Sequence, residues 1–384
     1  MKKNIITYIV VSVLSAIILF LWNGYASDGA EIFSQSVDTQ AAKIISVDSE
    51  DSTNMAGIES TVVISTAKII SGTDKGKEVK VYQEYNSQYP AMKVVKPGDR
   101  VVIKNYPIEE FGTDWTVDNY YRSDWILWLA GLFVVLILIF GKTQGIRTII
   151  SLIYTVIAVF AVFVPSVLSG KNIYVCSVLV CIFIISMTLL IVNGWNKKTL
   201  CASVGCIGGV IAAAIITLVF SKLMKMSGYV DEHSYYLTLL STPVNLPAMS
   251  FAAVIIGAVG AVMDVAMSMS SALYELSNKV EDISFKSLVS SGFAIGRDMM
   301  GTMANTLVLA YVGSSICSVL LLLTYADSAL DIFNREMIAS EILQAISGSI
   351  GIILAIPATA VFCGVVYIKF KSKKTQGELE NEHN

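Results

Sequence analysis

The sequence predicts an all-α polytopic membrane bundle of about eight transmembrane helices, joined to a small extracytoplasmic β-barrel or OB-like domain. Three observations predict it. The 384-residue chain is 54% hydrophobic and only 15% charged, against about 25% in ordinary soluble domains, and its mean hydropathy is +0.66. Apolar runs close to the roughly 20 residues that span a bilayer recur along most of its length. One stretch, 27–124, interrupts them: it is polar and rich in β-branched residues. It holds 16 acidic and 10 basic side chains, net −6, which leaves +3 for the rest of a chain totalling −3.

Lys2 and Lys3 precede an apolar run over 5–22. This reads as a signal-anchor helix within 1–24, with a cleaved secretory signal as the alternative. Gly24 and Ala26 flank the bulky Tyr25, a poor fit to a small-x-small cleavage site. Five β-rich runs follow at 42–47, 60–70, 78–85, 100–105 and 115–120, separated by turn signals at 71–76 and 96–99. Five short strands in so little chain suggest a small closed barrel, with a small sandwich as runner-up. The net negative charge and the lack of a basic stripe argue against a nucleic-acid partner.

Seven more apolar segments are expected at 125–140, 148–168, 173–192, 200–220, 249–269, 299–324 and 341–367, forming a helical domain over 125–369 before a tail at 370–384. Loop charge orients them. With the N-terminus inside, Lys142, Arg147, Lys197, Lys198, Lys279, Lys286 and Arg297 fall on the inner side, as does the lysine-rich tail. Both termini are then cytoplasmic, residues 27–124 lie outside, and the cell membrane is the expected location. Leu273, Leu276, Val280 and Ile283 recur at helical spacing, so 270–298 is expected to hold an amphipathic surface helix.

The six cysteines, 176, 181, 201, 206, 317 and 363, all lie in apolar segments and read as small buried hydrophobes. His233 and His383 are the two histidines. No metal-site spacing, P-loop or dinucleotide fingerprint occurs. No histidine falls in a span to activate Ser268, Ser270 or Ser271. Neither a metal, a cofactor nor a catalytic residue is expected, and the chain does not read as an enzyme.

The strongest functional lead is one face of the segment at 249–269. At roughly 100° per residue, Gly257, Gly260, Asp264, Ser268, Ser271 and Glu275 share a narrow stripe. A carboxylate inside hydrocarbon costs about 3 kcal/mol on insertion scales, so it belongs in a protein interior or a watery path. The glycines permit close helix approach. The next span begins with Arg297, Asp298, Gly301, Thr302 and Asn305. A hydrogen bond between Asp264 and Asn305 is expected at similar depth, with Arg297 snorkelling or pairing with Glu275 or Asp298.

Two long stretches carry a resemblance. The first is Met263-Asp264-Val265-Ala266-Met267-Ser268-Met269-Ser270-Ser271-Ala272-Leu273-Tyr274-Glu275-Leu276. The second runs from Ile295-Gly296-Arg297-Asp298 through Gly301-Thr302-Met303-Ala304-Asn305 to Gly313. With Asp118-Asn119-Tyr120-Tyr121-Arg122 and Ser347-Gly348-Ser349-Ile350-Gly351, they resemble the YibE/F family of multi-pass membrane proteins. The resemblance implies an anchor, an outside polar domain and a helical bundle. A fainter likeness to the membrane part of RND-type and Sec-associated transporters implies proton-driven movement by analogy.

The resulting expectation is a proton- or ion-coupled transporter or translocation component. Its candidate coupling residues are Asp264, Ser268, Ser271, Glu275, Arg297, Asp298, Thr302 and Asn305, with Gly257, Gly260 and Gly301 for packing. The alternative is a non-transporting membrane scaffold whose external domain docks a partner or envelope component. The expected surroundings are a lipid bilayer and a second membrane protein or further copies of the chain.

Overall fold

The computed structural model describes all residues except 1, 31–36, 56–57, 87–92, 109–110, 281 and 383–384, so His383 lies outside them. The chain divides into two compact units, Phe33–Phe140 and Met1–Ile32 with Gly141–Asn384.

The first unit contains a five-stranded barrel of β1 (Thr39–Met55), β2 (Ile58–Ile69), β3 (Glu78–Asn86), β4 (Arg100–Ile108) and β5 (Thr113–Tyr120). The strands close in the order β1-β2-β3-β5-β4. β3 and β5 run parallel, with Val81 opposite Trp115, and the other pairs are antiparallel. Alternation makes the core: Val63, Ala67 and Ile69 from β2 meet Val101 and Ile103 from β4 and Trp115 and Val117 from β5. A buried polar residue ties in the chain after β3. Gln83 donates to the Lys93 carbonyl at 2.9 Å and accepts from the Val95 amide at 3.0 Å. All five expected strands are present. β1 runs well past 47 because it pairs with β2 down to Met55 opposite Ile58. Its polar continuation is held by the ladder and by side chains such as Asp48, which accepts from Thr66 at 2.7 Å.

The helices are α1 (Lys2–Ala26), α2 (Ser123–Ile157), a π-helical turn (Ala158–Phe163), α3 (Val164–Leu168), α4 (Ile173–Asn193), α5 (Lys197–Leu223), α6 (Glu232–Thr238), α7 (Leu246–Lys279), α8 (Phe285–Tyr325), α9 (Ala329–Asn334) and α10 (Glu336–Glu382). Among the described residues, seven helices are long and apolar enough to cross a membrane. The expected count was about eight. The difference lies in Ser123–Leu168, which absorbs the segments at 125–140 and 148–168. Lys142, at φ 48° and ψ −126°, breaks the helix between them. The separate amphipathic helix expected within 270–298 does not form. α7 runs through Lys279 and α8 starts at Phe285 from its Ser284 cap, so the apolar positions there extend two long helices.

The π-helical turn has a local cause. Pro165 has no N–H and its ring crowds the carbonyl four residues back. That carbonyl, Ala161, accepts instead from the Asn23 side chain of α1. Ser169 donates to the Ala26 carbonyl at 2.6 Å, and Tyr154 and Ser12 join at 2.9 Å. α1 is thereby fastened along the same neighbours.

The tightest helix pair is α5 with α10, antiparallel. A Cβ at Gly205 would lie 3.1 Å from the Thr359 Cα, and one at Gly209 would meet the Gly351 carbonyl at 2.7 Å and Ala355 at 2.8 Å. A Cβ at Gly351 would in turn approach Ala213 at 3.0 Å. Cys201 and Cys363 extend the seam into a second buried cluster with Leu273, Leu288 and Tyr367. Small residues four apart on each helix let the backbones touch, the contact that drives association where apolar burial gives no bias.

Candidate functional site

α7 starts at the Asn245 cap, whose side chain accepts from the Ala248 amide at 3.0 Å, with Pro247 in its first turn. One face carries Ile255, Ala258, Val262, Val265, Ala266, Met269 and Leu273 and is buried. The opposite face carries Gly257, Gly260, Asp264, Ser268 and Glu275, all exposed in the chain, with Ser271 half-buried. The stripe is therefore real, but it does not form the packed seam expected of it. Among the described residues Asp264 takes part in no hydrogen bond or ion pair.

α8 presents its polar residues in the same way. Arg297, Asp298, Gly301, Thr302 and Asn305 are exposed. Thr302 donates to its own helix, to the Met299 carbonyl at 3.0 Å. The expected hydrogen bond between Asp264 and Asn305 is not made. Of the three glycines, Gly257 lies against α8, where the Tyr311 hydroxyl occupies the space its Cβ would need. Gly260 and Gly301 have nothing within 4 Å of that position. Both differences have one physical reason. α8 reaches the stripe through Tyr311 at Gly257, and its other approach to α7, at Gly292, meets Leu273 on the buried face and not the stripe.

Glu275 does find a cation, but not Arg297. It pairs with Lys198 at the start of α5, at 2.9 Å, and Lys198 lies 4.6 Å from the Tyr274 ring centroid. Ser271 lines a cavity of about 360 Å³ with Asn193, Asn196, Lys198 and Tyr274. Beside it, buried Ser270 donates to the Lys198 carbonyl at 2.8 Å and shares a 2.7 Å hydrogen bond with Tyr367 of α10. These contacts fix the ends of α5, α7 and α10 where the stripe terminates.

Sequence reasoning missed a second polar group. The Tyr311 hydroxyl of α8 and the Gln344 amide nitrogen of α10 both lie beside Gly257. The arrival of Tyr311 and Gln344 at Gly257 left no trace in the sequence pattern, because the three are far apart in the chain.

Chemically, a carboxylate on an otherwise apolar helix, free of internal partners, can take up and release a proton or ligate a cation as its hydration changes. Residues 129–369 match the family model described as YibE/F-like protein. The chain matches no curated protein and no solved structure.

Proposed function

Since this chain belongs to the YibE/F-like family, whose matched region holds six of the seven span-length helices in whole or part, we propose that it is a multi-pass transporter or translocation component. It works in the cell membrane and is coupled to proton or ion movement through Asp264. The observation that carries this reading is Asp264 itself: an acid in the middle of a 34-residue apolar helix, on a face shared with Gly260 and Ser268.

In this reading the termini are cytoplasmic and the barrel is extracytoplasmic, following the loop lysines and arginines. Asp264 then sits in the inner half of the bundle. Ser268, Thr302 and Asn305 line its approach, and the Lys198–Glu275 pair closes the cytoplasmic end. Arg297 and Asp298 stand at the same end on α8. The open α7–α8 face is covered by a second membrane protein or by further copies of this chain, since a bare carboxylate is poorly tolerated by lipid. The chemistry is movement, not bond-making, and nucleic acid plays no part.

Reconstitution into proteoliposomes with an internal pH indicator tests the reading. Asp264→Asn keeps the size of the side chain and removes its charge, so it abolishes coupled flux while leaving the thermal midpoint in detergent nearly unchanged. Flux that survives the substitution refutes the assignment.

A further inference from the structure

The chain passes from β5 into α2 through Tyr121 and Arg122 alone, and a cavity of about 570 Å³ opens at that junction. All of its walls belong to the unit Phe33–Phe140. One wall is the turn before β4, with Gly98 and Asp99. The other is the start of α2, with Trp125 and Trp128. The Tyr121 amide donates to the Arg100 carbonyl at 2.9 Å, and the Arg100 guanidinium pairs with Asp124. These contacts tie the start of β4 to the start of α2, so the two walls are held together.

Four charged side chains line the cavity, and two of them, Arg100 and Asp124, neutralise each other. The other two, Arg122 and Asp99, take part in no ion pair among the described residues. Arg122 donates to the Asn119 side-chain oxygen at 3.2 Å and lies 6.0 Å from the Tyr120 ring centroid. Asp99 accepts from the Lys96 amide at 2.8 Å, which fixes the carboxylate within its turn. The cavity therefore offers one cation and one anion and has no net charge. Beside them Trp125 and Trp128 are 77% and 75% exposed. Aromatic rings so bare at the start of an apolar span belong at the boundary between headgroups and hydrocarbon.

We propose that this cavity binds the headgroup of a zwitterionic phospholipid, one that carries a phosphate and a primary ammonium. Arg122 takes the phosphate, because guanidinium N–H groups match phosphate oxygens in geometry and charge. Asp99 accepts from the ammonium, and an aromatic face beside that cation adds attraction. A quaternary ammonium has no N–H to give Asp99, and an anionic headgroup without an amine meets that carboxylate with like charge. Trp125 and Trp128 lie about one turn apart on α2 and cover the glycerol, from which the acyl chains continue along exposed Leu132 and Leu136. The site rests on the membrane placement of α2 and not on the coupling role given to Asp264.

The full chain in detergent micelles containing increasing fractions of dioleoyl phosphatidylethanolamine provides the test. Phosphatidylcholine, phosphatidylglycerol and soluble glycerophosphoethanolamine serve as comparisons. A ligand that binds only the folded state raises the thermal midpoint with its concentration. Phosphatidylethanolamine raises it at a fraction about tenfold below that needed of the other three, the difference one charge-assisted hydrogen bond makes. Arg122→Gln weakens the phosphatidylethanolamine response by about tenfold. Asp99→Asn keeps an acceptor for the Lys96 amide and brings phosphatidylethanolamine level with phosphatidylcholine, whereas Asp264→Asn changes nothing. Equal responses to phosphatidylethanolamine and phosphatidylglycerol overturn the proposal, as does an undiminished response in Arg122→Gln. A soluble headgroup as effective as the lipid overturns the lipid as its source. Should Arg122→Gln fail to fold, Asp99→Asn carries the test, and a preference for phosphatidylethanolamine that survives it refutes the site.

Discussion

Two stripes of small residues run along this bundle, and only one of them is closed. On α5, Cys201, Gly205, Gly209 and Ala213 recur every four residues and lie against Thr359, Ala355 and Gly351 of α10, so tightly that Gly209 and Gly351 approach each other's carbonyl oxygens. On α7, Gly257, Gly260, Asp264 and Ser268 have nearly the same spacing, yet the face stays open apart from the Tyr311 contact at Gly257. Small residues at helical spacing permit close approach without specifying that it happens. What separates the two is the rest of each stripe and its partner. α10 answers α5 with small residues of its own, whereas α8 meets the α7 stripe with the large Tyr311, and α7 carries a carboxylate that a dry seam would penalise.

The same substitution in each stripe gives the largest contrast. Gly209→Leu must displace the Gly351 backbone and should destabilise the chain by about 3 kcal/mol, as severe overpacking does. Gly260→Leu enters open space and should change stability by no more than about 0.5 kcal/mol. Thermal midpoints in detergent measure both, and equal costs would erase the distinction between the stripes.

A smaller effect is expected where the closed seam ends. Tyr367→Phe removes the hydroxyl that joins α10 to Ser270 and should cost about 1 kcal/mol. Ser270→Ala should cost a similar amount, and the double variant less than the two together, because they share one hydrogen bond. Full additivity would mean that the α7–α10 link contributes nothing.

The smallest effect lies outside both stripes and serves as a control. Asp231 caps α6, and hydrogen bonds from Ser234 hold its carboxyl below the ordinary carboxylate range. A group whose folded pKa is depressed stabilises the fold above its unfolded value, about 3.9, and loses that contribution as pH falls through the folded one. Amide exchange at Ser234 should therefore quicken below about pH 4, relative to a model peptide under the same conditions, while midpoints for the α5–α10 seam variants keep their order. In Asp231→Asn the additional acid step should vanish.

Much of the fold was legible because its signals are local. The alternation of Val101 and Ile103, or of Trp115 and Val117, marks buried strand faces within a few residues. The polar end of β1 was not legible, since Asp48 through Asn54 show no hydrophobic period and are strand only because β2 lies alongside. Apolar length marked the spans, but the amphipathic pattern after Ser270 fitted a surface helix as well as the ends of α7 and α8. The candidate site was legible in part. Asp264 and its stripe follow from helical period alone. The Lys198–Glu275 pair joins residues 77 positions apart and left no trace in the pattern.

By itself the sequence determined which segments are apolar helices, where the barrel strands run, and that a carboxylate shares an α7 face with glycines and serines. Each of these depends on the spacing of neighbouring side chains along one element. The tertiary structure decided which small-residue stripe is closed, that Asn23 satisfies the carbonyl exposed by Pro165, and that Tyr311 and Gln344 converge on Gly257. Those outcomes depend on shape matching between elements far apart in the chain, where a single Cβ settles whether two backbones can meet.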